Sequence, residues 1–210
     1  MSVNVVTLGV GDVLSMVLRR AAMLGLDASH FSPFRESRVD DFGRAFRVPF
    51  SRESAMSMAS DLRIDMDGEP RVFSPKSSAT FDPLHSVPGF SYSLDPAACV
   101  DLCRAVWRSD VAECFDLIES DEPAMFLMRL PPSPEVRPQT VYGRLARGLL
   151  ATSPRASRSF YLMSPSEHGG IVKRSRGFFT MPFPDSRPGE EGVSLAAPYV
   201  RLAVEHFASR

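Results

Sequence analysis

Apolar residues recur along this chain at helical spacing in some places and in alternation in others. Val13, Leu14, Val17, Leu18, Ala21 and Leu24 form a stripe behind Asp12, a suitable N-cap, and Gly25 is placed to end the helix they predict. Residues 27–50 scatter Phe31, Phe34, Phe42, Phe46 and Phe50 among Ser, Pro, Asp and Arg, a pattern that predicts irregular chain pinned by aromatic anchors. Ser51 can cap a short helix running to Leu62. Leu62, Ile64 and Met66 then alternate before Asp67-Gly68, with Pro70 and Val72 beyond, which predicts a hairpin because the favoured two-residue turns need positive φ.

The Ser- and Pro-rich stretch from Ser74 to Asp95 reads as a long loop. Asp95-Pro96 then opens the clearest helix, an N-cap followed by a proline whose missing N–H costs nothing in the first turn. Cys99, Cys103, Val106 and Trp107 share one face of it, and the pattern restarts at Asp110 with Val111, Cys114, Phe115 and Ile118. Ala124 to Leu130 is strand-like and is cut off by Pro131-Pro132-Ser133-Pro134, a rigid connector. A helix through Val141, Leu145, Leu149 and Leu150 follows, weakened by Gly143 and Gly148. Ser159 to Met163 is a strand; a turn at His168-Gly169-Gly170 leads into Ile171 to Phe183, which can pair with it; and a last helix begins near Ser194 with Leu202, Val204 and Phe207 for burial. Mixed helices and short antiparallel hairpins without βαβ regularity predict an α+β fold, one compact domain over 1–210 with long Ser/Pro-rich loops and an internal boundary near 131–138.

At 210 residues, 44% apolar and 23% charged, the chain can bury a sizeable core. No basic leader and no uncharged 18-residue window is present, so neither export nor a transmembrane span is expected. Three cysteines, two of them four apart in one helix, fit buried thiols in a reducing, intracellular compartment better than a disulfide framework.

Charge changes the picture most. Residues 1–122 carry 12 basic and 19 acidic side chains, whereas residues 123–210 carry 12 basic and 6 acidic, and within 123–178 only Glu135 and Glu167 oppose nine cations. Lys76 and Lys173 are the only lysines, an arginine bias that a GC-rich genome would produce without function. Arginine nonetheless recognises phosphate and carboxylate in a planar, bidentate way. Lys173, Arg174 and Arg176 stand directly before the rings Phe178, Phe179 and Phe183, and Arg144, Arg147, Arg155 and Arg158 extend the basic region. Cations take phosphate and rings stack on bases or enter a lipid interface. The competing explanation is a strand with its rings in the core and its cations in water.

Catalytic and metal patterns are thin. Cys99, Cys103 and Cys114 with His30, His85, His168 and His206 lack the paired short spacing of a zinc site, and Asp65-Met66-Asp67-Gly68-Glu69 lacks the remaining ligands of a calcium loop. Ser164-Pro165-Ser166-Glu167-His168-Gly169-Gly170 holds serine, acid and base, but no G-x-S-x-G occurs, and Gly9-Val10-Gly11 does not extend to a nucleotide-binding fingerprint. No cofactor, metal or catalytic residue is assigned. The expectation is a non-enzymatic binding or assembly protein, comparable in charge pattern alone to viral matrix, coat or accessory proteins. Its basic 123–178 region would meet nucleic acid or an anionic membrane, and its acidic N-terminal part another protein or a second copy. The alternative is a small hydrolase or transferase, an effector among the options, with a Ser, Cys or His site assembled by the fold.

Overall fold

A computed structural model describes residues 2–8, 14, 17–18, 20, 25–31, 52–65, 71–73, 80–81, 95–129, 147, 150–151, 157–164, 169–183 and 190–210. Six strands form one mixed sheet: β1 (Val3–Leu8), β2 (Ala28–Phe31), β6 (Ala124–Arg129), β7 (Arg158–Ser164), β8 (Val172–Ser175) and β9 (Phe178–Pro182), in the order β2-β1-β6-β7-β9-β8. All neighbours are parallel except β8, which runs antiparallel to β9 at the edge. A separate antiparallel sheet joins β3 (Arg63–Asp65), β4 (Arg71–Phe73) and β5 (Thr80–Phe81). Helices α1 (Arg52–Ser60), α2 (Pro96–Glu119) and α3 (Glu190–Ala208) complete the fold.

This is an α/β arrangement rather than the expected α+β one. The four central strands are apolar on both faces, the signature of a parallel sheet covered on both sides. Val6, Leu8, Phe126, Met128, Phe160, Leu162 and Phe178 meet Cys103, Trp107, Val111, Cys114 and Ile118 of α2 on the first face. Val5, Met125, Leu127, Tyr161, Met163, Phe179 and Met181 meet Val193, Ala196, Val200, Ala203 and Phe207 of α3 on the second, together with Leu14, Val17 and Leu18. The two-residue period of a strand sends successive side chains to opposite layers, so both layers are built from the same four strands.

Several expectations hold and several change. Leu14, Val17 and Leu18 are helical and buried, and Gly25 takes φ 66°. Asp95 accepts from the backbone N–H of Ala97 and Ala98, with Pro96 opening α2. That helix does not restart at Asp110; it is continuous to Glu119, because Val111, Cys114 and Phe115 prolong the same buried face. Residues 28–31, expected to be irregular, form β2, whose backbone is satisfied by β1 and not by any side-chain pattern. Ile171 to Phe183 is two strands, broken at Gly177 (φ 73°), where a Cβ would lie 3.0 Å from the Arg158 carbonyl oxygen. Helix α3 starts before Ser194 and leaves Leu202 exposed at 42%. β3 and β4 pair as expected, while Asp67-Gly68 between them, like Asp12 and Ser51, lies outside the described residues.

Candidate functional site

Among the nine residues expected to contact a polyanion, the fold separates surface from interior. Arg144 and Arg155 lie outside the described residues. Arg147 is exposed, and Leu150 lies against the turn at Gly177. Lys173, Arg174 and Arg176 are exposed on the β8 arm, with Arg174 Nε donating to Thr180 Oγ1 at 2.7 Å.

Arg158, by contrast, is 7% exposed and donates to the carbonyl oxygens of Leu117 (3.1 Å) and Ser120 (2.7 Å). The last carbonyls of a helix have no partner within it, and Arg158 supplies one for the end of α2. Burial lowers its pKa, opposed by Asp121. Phe178 packs edge-on to Phe160 at 5.6 Å in the first layer, and Phe179 stacks on Tyr161 at 5.0 Å in the second. Arg158 and both rings are therefore spent inside the protein. Base stacking or lipid insertion by these rings would require dismantling the core.

Other arginines tie elements together, Arg52 at the surface. Arg52 donates to Asp116 (2.6 Å) and Glu119 (2.9 Å), tying α1 to α2, and its pKa is raised first by the Asp116 hydrogen bond. Arg104 donates from Nε to the Ala59 carbonyl oxygen at 3.2 Å and so closes the end of α1. Arg210 donates to Ser159 Oγ at 2.7 Å and lies 4.7 Å over the Phe179 ring.

Beside Arg210, Tyr161 Oη and His206 Nδ1 are 2.8 Å apart. Burial pushes the Tyr161 hydroxyl up to about 12, with Arg210 opposing, and lowers the His206 pKa, with Arg210 adding to the effect. The phenol thus keeps its proton beside an imidazole whose charged form is disfavoured, and the direction of the hydrogen bond between them follows the imidazole tautomer. This knot of Ser159, Tyr161, His206 and Arg210 went unnoticed in the sequence, because its members come from β7 and the end of α3. It fastens α3 to the sheet.

The cysteines are unsuited to nucleophilic work. Cys99, Cys103 and Cys114 are all buried; burial raises Cys103 to about 11 and Cys114 further still, so neither is a thiolate at neutral pH. Among the described residues no group of three or more His, Cys, Asp and Glu side chains could hold a metal ion. His85 and His168 lie outside the described residues. No helix among them is long and apolar enough to cross a membrane. No protein-family model, curated protein or solved structure matches this chain.

Proposed function

We propose that this is a non-enzymatic binding protein that takes the phosphate backbone of nucleic acid on the β8–β9 arm. The observation that supports the reading is the exposure of β8 at all four positions, where its neighbours are buried on both faces. That arm carries Lys173, Arg174 and Arg176, and no carboxylate occurs between Gly169 and Phe183. With Phe178 and Phe179 in the core, recognition rests on charge alone and is independent of base sequence.

The test is anisotropy of a labelled single-stranded oligonucleotide, with anionic vesicles as a second probe, each at two salt concentrations. Binding should weaken with salt, and each contact removed by Lys173→Gln, Arg174→Gln or Arg176→Gln should reduce the log–log slope by about 0.7. Binding to vesicles alone would move the reading to a lipid surface. Absence of binding to both at low salt would leave these cations as guards of an exposed sheet edge against pairing with other strands.

A further inference from the structure

We infer that the nucleic acid taken by the β8–β9 arm is double-helical DNA in preference to a single strand, an inference that rests on the reading of the arm as a phosphate-binding surface. Proteins hold single strands by two means, cations along the backbone and aromatic rings on which the bases stack. This arm supplies only the first. Its rings, Phe178, Phe179 and Phe183, are all buried, and no other aromatic residue occurs between Gly169 and Phe183. Phe179 is already stacked on Tyr161, with His206 edge-on at 4.9 Å and the Arg210 guanidinium 4.7 Å from its centre, so a base finds no place on it. Affinity is therefore set by phosphate charge alone, and a duplex carries one charge per about 1.7 Å of its axis, twice the density of one of its strands.

The arrangement of the cations suits two rows of phosphates. Residues opposed in an antiparallel pair point to the same side of the sheet. Lys173 is opposed to Phe179, of the second layer, and Ser175 to Phe178, of the first, the ladder shifting between them. Lys173 thus leaves the edge strand on the second-layer face. Arg174 is drawn to the other face, because its Nε donates to Thr180 Oγ1 at 2.7 Å and Thr180, two residues beyond Phe178 in β9, lies on the same side as Phe178. Arg176 stands in the turn between the two strands. Positive charge therefore leaves both faces of the edge and its tip, where a single line of phosphates would follow one face only.

The experiment compares a short labelled DNA duplex of mixed sequence with each of its separated strands, by anisotropy on the full chain. Three phosphate contacts should give a log–log salt slope of about 2.7 for the duplex and about 2.1 for the strands, and hence a duplex affinity roughly sixfold higher at about 0.05 M salt and roughly two- to threefold higher at about 0.2 M. Lys173→Gln or Arg176→Gln, each leaving two contacts, should narrow the low-salt ratio to about threefold. A single strand bound as tightly as the duplex at low salt would overturn the inference and leave the phosphate-binding reading of the arm standing. A duplex preference that neither substitution narrows would put the duplex elsewhere on the protein and overturn it as well. Binding of neither duplex nor strand would overturn both the inference and the reading on which it rests.

Discussion

Arg158 and Arg176 belong to the same basic stretch of sequence and lie at the same rim of the sheet, yet their fates are opposite. Arg158 begins a strand covered on both faces and spends its guanidinium on the open end of α2. Arg176 sits in the turn after β8, beyond the layers, and is exposed. Charge density along a chain is thus no measure of charge on a surface. What decides the matter is whether the strand carrying the cation has helices over it, a property of the sheet order and not of the residue.

The contrast can be broken most forcefully at Arg158. Arg158→Ala removes two charged hydrogen bonds in a buried place, Ser120 Oγ remaining on the Leu117 carbonyl oxygen, and should cost about 3 kcal/mol in urea unfolding, since charged hydrogen bonds contribute roughly 1.5–3 kcal/mol each. A loss as small as that of a surface substitution would mean that Arg158 is a surface cation after all. Gly177, which joins the two regions, comes next. Gly177→Ala combines positive φ with a 3.0 Å approach to the Arg158 carbonyl oxygen, and a penalty of about 2 kcal/mol is expected, with the β8 arm displaced.

A smaller effect is expected at the Tyr161–His206 contact. Tyr161→Phe should cost about 1 kcal/mol at neutral pH. The pH dependence has a definite sign. His206 has a folded-state pKa lowered from 6.5, so its unfolded form binds the proton more readily. The stability this residue provides is therefore fully present above pH 6.5, is lost as pH falls from there towards the lower folded-state pKa, and is gone below both. Denaturation midpoints measured at steps between pH 7.5 and 5 should show this loss in the wild type and not in His206→Gln. The least effect belongs to the arm: Lys173→Ala with Arg176→Ala, both exposed, should change stability by less than about 0.5 kcal/mol in thermal melts.

Elements that carry their own punctuation were legible in the sequence. The Asp95-Pro96 cap, the apolar face through Cys103 and Trp107, and the strand at Ala124 are local facts that the fold keeps. The parallel sheet was not legible, because its pairings join Asn4 to Ala124 and Ala124 to Arg158, and no local period records a partner so far away. Val3-Asn4-Val5-Val6-Thr7-Leu8 did hold a clue: a β-branched, almost unbroken apolar run before a glycine marks a strand buried on both sides. β2, as Ala28-Ser29-His30-Phe31, held none. The placement of the basic stretch was half legible. Alternation placed Phe178 and Phe179 on opposite faces, but only a sheet covered twice explains why both are interior.

The position of β1 bears on how the chain reaches this state. It is made well before β6 and lies between β2 and β6 in the sheet, with a register to β6 that begins with Asn4 against Ala124. During synthesis at about 5–20 residues per second, its apolar edge waits several seconds for that partner. Pairing over such a span is entropically slow, and the strand is prone to misassociation until β6 arrives. Productive folding therefore depends on shelter for Val3–Leu8 until β6 is made, and a chaperone that holds extended apolar segments should raise the yield.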